Sequence, residues 1–234
     1  AGDVGGSGFR DGPSKDARFG RLRGAARDLQ GNIYVLDAAN AVVRKIDATS
    51  LAVSTLAGRP GERGGEDGQL SAARFDQLQG IAFDGDHSLW ISDVSKDFVT
   101  RCTIRQIDLT TASVSTAAGG PCGTLDATGT QARFSPTLAG LAFYNGVLYA
   151  NDGTRIRKIL PGTRAVSTFC GGAITPPQSG TCGVNAVLPY LGDVVLDATT
   201  ARLYLQGNQP QIFATVDLGS GTFSLLPSLT GASS

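Results

Sequence analysis

The sequence predicts an all-β fold built from one four-stranded unit used four times. Three observations predict it. A nonapeptide recurs as DGPSKDARF from Asp11, DGQLSAARF from Asp67 and DATGTQARF from Asp126, each with an Asp seven residues before an Arg-Phe pair. Behind each copy, four short apolar-alternating segments follow in one order. Thirty-two glycines and ten prolines among 234 residues supply the turns between them. A period of ~55–60 residues marks a stacked or circular array of one supersecondary unit. Four antiparallel strands per unit form the blade of a β-propeller.

The elements follow in order. First strands start at Gly24 (GAARD), Gly80 (GIAFD) and Gly140 (GLAFY). Second strands read NIYVLD, SLWISD and VLYAND, with an aromatic at Tyr34, Trp90 and Tyr149. Alternation of apolar and polar positions with aromatic and β-branched residues is the strand signal. Third strands read VVRKID from Val42, TIRQID from Thr103 and RIRKIL from Arg155; fourth strands read AVSTLAG, SVSTAAG and AVSTFCG. For the second unit this gives strands near 80–84, 88–93, 103–108 and 113–118. A worn fourth unit holds LGDVVLD from Leu191, ARLYLQG from Ala201, QIFATVD from Gln211 and GTFSLLP from Gly221. It lacks the opener, with AVL from Ala186 in place of ARF, and has Ala214 where the others have Arg44, Arg105 and Arg157. Terminal repeats are often atypical. One propeller domain over 1–234 is expected, with blades at 11–66, 67–125, 126–182 and 183–234.

The run ARF…GIAFD…SLWISD…IRQID…VSTAAGG resembles the NHL repeat over nearly the whole chain. The resemblance implies a propeller, most often six-bladed, of a kind that usually serves as a protein, glycan or RNA platform. Four blades therefore form either a closed ring or an excerpt of a larger one. The segment AGDVGGSGFRDG looks like the AGRPGERGGEDG that follows a fourth strand, yet no strand precedes it.

Residues repeated in every unit are expected to be scaffold. Asp37, Asp93 and Asp152 end second strands, where they can accept from turn N–H groups or a nearby Arg. Phe19, Phe75 and Phe134, with Tyr34, Trp90, Tyr149 and Tyr204, are expected between blades. The nonapeptide is then the strap that carries the chain from one blade to the next.

Composition narrows the chemistry. Lys and Arg number 20, as do Asp and Glu, so the basic surplus typical of nucleic-acid binding is missing. No apolar run reaches the ~20 residues of a membrane-spanning helix. A single histidine excludes a His-cluster zinc site, and a Ser-His-Asp triad would have to use His87, which lies in a turn. No cofactor motif is present: GGPCG lacks the Lys-Ser/Thr of a phosphate loop. No enzyme is expected.

The four cysteines form no CxxC pair, and an even count in a Gly-rich all-β chain fits a secreted, disulfide-bonded protein. The expected pairs are Cys102–Cys122 and Cys170–Cys182, each local to one propeller face; the rival is Cys122–Cys170. The second unit carries an insert, VSKDFVTRC, between its second and third strands. Such loops emerge beside the blade-to-blade connections. Lys96, Asp97, Phe98 and Arg101 are therefore the candidate binding residues. The expected function is a non-catalytic extracellular module that contacts a protein or glycan partner, or neighbouring domains of a larger extracellular assembly. The alternative is a propeller hydrolase or lactonase with a carboxylate-bound Ca²⁺ in its central pore.

Overall fold

A computed structural model describes residues 7–172, 179–183, 186, 188, 191–208 and 211–226. The chain is a four-bladed β-propeller: four small antiparallel sheets in a ring, with helix confined, among the described residues, to one 3-10 turn at Gly129–Gln131.

Blade one contains β1 (Leu22–Arg27), β2 (Ile33–Asp37), β3 (Val42–Ile46) and β4 (Val53–Ala57). Blade two adds a two-residue edge, β5 (Gly68–Gln69), to β6 (Gln77–Phe83), β7 (Ser88–Val94), β8 (Cys102–Asp108) and β9 (Ser113–Gly120). Blade three repeats this with β10 (Ala127–Thr128), β11 (Leu138–Tyr144), β12 (Val147–Asp152), β13 (Arg155–Leu160) and β14 (Ala165–Gly171). Blade four has β15 (Gly180–Thr181), β16 (Leu191–Asp197), β17 (Arg202–Asn208), β18 (Gln211–Asp217) and β19 (Thr222–Leu225). The four second-blade strands fall where the sequence places them. The edge pairs β5–β9, β10–β14 and β15–β19 show how the strap works: its first residues pair with the outer strand of the blade they open. In blade one the same role falls to Gly12, which bridges Val53.

The strap's conserved letters meet at one buried guanidinium. Arg44, Arg105 and Arg157 are fully or almost fully buried. Arg105 donates from Nη2 to Asp67 at 2.8 Å and from Nη1 to Asp93 at 3.3 Å, and its guanidinium lies over the Phe75 ring at 5.2 Å. Asp67 also accepts from the Thr116 amide at 2.9 Å, which ties the strap to β9. Arg44 does the same with Asp11, Asp37 and Phe19, and Arg157 with Asp126, Asp152 and Phe134. An Asp and a Phe eight residues apart thus serve one cation, by charge-assisted bonds and by the ring face.

Blade four replaces the whole cluster. Ala214 fills the Arg slot, buried Leu188 takes the Phe slot, and Ser179 substitutes for the opening Asp by accepting from the Leu225 amide at 2.9 Å. An apolar substitute for a buried ion pair is self-consistent only when every charged member goes at once, because an abandoned partner is a buried unpaired charge.

Between blades, three apolar cores form. Tyr34, Leu36 and Val43 of blade one meet Phe75, Ile81, Leu89 and Ile91 of blade two. Trp90 and Ile104 of blade two meet Phe134, Leu141 and Leu148 of blade three. Tyr149 and Ile156 of blade three meet Leu188, Val194, Leu203 and Leu205 of blade four. Each seam joins the forward face of one blade to the backward face of the next. The innermost strands run close together, β1 on β6, β6 on β11 and β11 on β16. Gly80 permits this: a methyl group there would come within 2.4 Å of the Ala139 carbonyl oxygen.

Candidate functional site

The blade-two insert folds into a tight loop over residues 95–101. Asp97 organises it. Its Oδ1 accepts from the Ser95 hydroxyl at 2.6 Å and from the amides of Val99 and Thr100 at 2.9 and 3.0 Å. The Ser95 bond above all, then these amides, hold the Asp97 carboxyl well below the usual carboxylate range. Arg101 points inward: it donates to the Gly64 carbonyl at 2.7 Å and lies 3.6 Å from Asp93. The Lys96 amide donates to Asp76 at 2.9 Å, and the Cys122 amide to Val99 at 2.9 Å. The loop is thereby fastened to the connections on both sides.

The disulfide Cys102–Cys122 fixes the loop's end, with Cα atoms 4.9 Å apart. Cys170–Cys182 does the same on the next connection at 4.5 Å. Both pairings are those expected from the sequence. The chain between the second pair includes 173–178, which lies outside the described residues.

Two of the four sequence-predicted residues therefore build the loop, and two are presented by it. Phe98 stands at the tip, 47% exposed and at φ 56°, with exposed Val99 beside it. A bulky residue at positive φ persists only where the surroundings determine it. Lys96 turns to the seam between blades one and two. There it lines a cavity of about 190 Å³ with Arg21, Arg63, Ala38, Gln77, Leu78 and Gln79. Arg63 is held in place by the carbonyls of Ala38, Ala39 and Asp76. Gln77 donates to the Ser95 carbonyl at 3.3 Å. Arg21 and Lys96 have no side-chain partner among the described residues. The sequence reading missed Arg21, Arg63, Gln77 and Gln79, because they come from three segments that only blade packing brings together. The available signal was Arg21 and Arg63 flanking the repeat rather than lying in it.

Asp93, beneath this site, is completely buried. Burial pushes its carboxyl up to about 6, against the pull of Arg101 and Arg105. His87 lies in an exposed turn, paired with Asp86 at 2.6 Å, which raises its pKa. Among the described residues no group of three or more His, Cys, Asp or Glu is placed to hold a metal. No helix of the described residues is long and apolar enough to cross a membrane.

No protein-family profile matches the chain. No curated protein matches it in sequence. Among solved structures, an auxiliary nutrient binding protein from Bacteroides ovatus ATCC 8483 is similar, with a TM-score of 0.56 and 14% identity over 91% of this chain and 49% of that one. The likeness is one of fold. A structural-genomics protein of unknown function from Bacteroides thetaiotaomicron VPI-5482 aligns at a TM-score of 0.48 and 17% identity, over 96% of this chain and 62% of that one. The chain thus spans less than two thirds of either structure.

Proposed function

We propose that the chain is a non-catalytic, extracellular binding module of NHL-like type. Its loop face around blade two holds an anionic partner, an acidic glycan or an acidic protein segment. The observation that carries this reading is the seam cavity. Arg21 and Lys96 bring two cations, without side-chain partners among the described residues, to a site where Arg63 is already fixed and two glutamines add amide groups. Guanidinium and ammonium donors suit carboxylate or sulfate oxygens, and the amides orient a sugar or peptide group. The pinned loop limits the entropy lost on binding. Two disulfides support the extracellular setting.

Titration calorimetry with polygalacturonate, against a neutral glycan of matched length, tests the reading. Binding should weaken as salt rises, and Arg21→Ala with Lys96→Ala should weaken it at least tenfold. No heat with the acidic polymer, or equal affinity in the double variant, would remove the reading.

A further inference from the structure

Blade two fastens its strand-end Asp differently from blades one and three. In blade one the fastening is neutral: Asn40 donates from Nδ2 to Asp37 at 2.9 Å and to the Gly8 carbonyl at 3.1 Å. In blade two the equivalent bridge is made by a cation, Arg101 of the insert. Its Nη2 donates to the Gly64 carbonyl at 2.7 Å and stands 3.6 Å from Asp93. The residue after the strap's Phe changes as well. Gly20 and Ser135 give Asp37 and Asp152 an amide and bring no charge. Asp76 gives Asp93 its amide at 2.9 Å and brings a second carboxylate, 3.9 Å from Arg101. Added cation and added anion thus arrive together in blade two.

Arg101 is seated tightly but bonded incompletely. It fills a slot that exists because residue 65 is Gly: a methyl group there would come within 2.4 Å of its Nη1. Its Nε and the Asp76 Oδ1 are buried and make no hydrogen bond among the described residues. Such atoms offset much of what the ion pairs contribute, so the seat is held by a small margin. Around Asp93 stand Arg101 on the loop, Arg105 on β8 and Asp76 behind the strap. Beyond them, Arg63 lies 3.7 Å from Asp76, Asp67 pairs with Arg105, and Glu66 lies against Gly64. The Lys96 amide hangs on the Asp76 carboxylate at 2.9 Å.

We propose that the insert is an acid-released latch on the blade-two site: Arg101 is the bolt, Asp93 takes the proton that frees it, and the loop then lifts Lys96 away from the seam cavity. The consequence for binding rests on the anion-site reading above; the latch itself does not. Burial raises the Asp93 carboxyl to about 6, against the pull of Arg101, so the seated guanidinium and the ionised carboxylate favour each other. Lifting the loop leaves that burial in place, since Asp37 and Asp152 are equally buried in blades without an insert. The latch therefore loosens as pH falls through about 6. Asp97, which shapes the loop, is held well below this window, and His87 sits at the other end of β7.

Hydrogen exchange of the Val99 and Thr100 amides, corrected for the pH dependence of the chemical step, tests this without any ligand. Protection should fall between about pH 7.5 and about pH 5, roughly tenfold for each pK unit by which Arg101 lowers Asp93. Arg101→Gln, which substitutes a neutral amide like that of Asn40, should leave the loop loose and abolish the step. His87→Gln should keep it. Trp90 emission shows that the blades stay folded at both ends of the range. Protection that is unchanged in the native protein overturns the proposal, as does a step that survives Arg101→Gln or vanishes with His87→Gln. Polygalacturonate affinity should fall across the same range, where that polymer stays largely ionised. Affinity indifferent to a loop seen to open overturns the coupling, whereas an opening loop in a chain that never binds the polymer supports the latch and removes the anion-site reading alone.

Discussion

At the scale of single residues, the spoke arginines explain the repeat's spelling. Removing one guanidinium leaves two carboxylates behind, one of them fully buried. Arg105→Ala should therefore cost about 3–5 kcal/mol, read from chemical denaturation. Adding Asp93→Asn and Asp67→Ser should recover part of that loss; Ser is the residue that blade four has in the second of these slots. Asp93 also sets a pH dependence. Its folded pKa is about 6, above the ordinary carboxylate value. The folded state therefore holds a proton that the unfolded chain releases, and the Asp93 contribution to stability declines as pH rises from the ordinary carboxylate range to about 6. Asp93→Asn should flatten the stability profile in that window. The Asp, Arg and Phe letters were legible in the sequence as scaffold. Their shared partner was not, because Arg44 lies 33 residues from the Asp11 it joins in blade one.

At the scale of elements, the hairpin joining third and fourth strands is a recurring turn. Asp47 and Asp108 each accept from two following amides, as does Asp217, and four residues on the chain takes positive φ at Leu51, Ala112 and Gly221. Only blade four puts glycine there. Leu51→Gly should remove left-handed strain of about 1 kcal/mol, offset in part by unfolded-state entropy, and raise the melting temperature slightly. The turn carboxyls of Asp47, Asp108 and Asp217 lie below the usual range through these bonds. Their stabilisation is present above the ordinary carboxylate pKa and lost as pH falls through the lower folded value. The Cys170–Cys182 bond closes a short loop. Cys170→Ala with Cys182→Ala should cost ~3 kcal/mol in the chain-entropy account, visible as a lower denaturation midpoint. Strands and disulfide pairs were readable because both are local. The cavity of Arg21, Arg63 and Lys96 was not, since nothing in their spacing announces a shared wall.

At the scale of the whole molecule, stability is unevenly spread. Among the described residues, the middle two blades are packed on both faces and the outer two on one. Outer blades should open first. Far-UV circular dichroism should begin to change at lower denaturant than Trp90 emission, and coincident transitions would show the four blades unfolding as one. The sequence made the blade count plain but said little about closure, because closure depends on which side of a strand stays wet. The worn fourth unit hinted that its neighbour differs.

The unlike-face rule of the seams has a genealogical consequence. A blade whose front always fits the next blade's back can be copied in tandem, and the copy meets complementary surfaces on both sides at once. Its opening strap also arrives with the partners it needs, since Asp, Arg and Phe all belong to one unit. Growth by whole duplicated units therefore creates no new surface to solve.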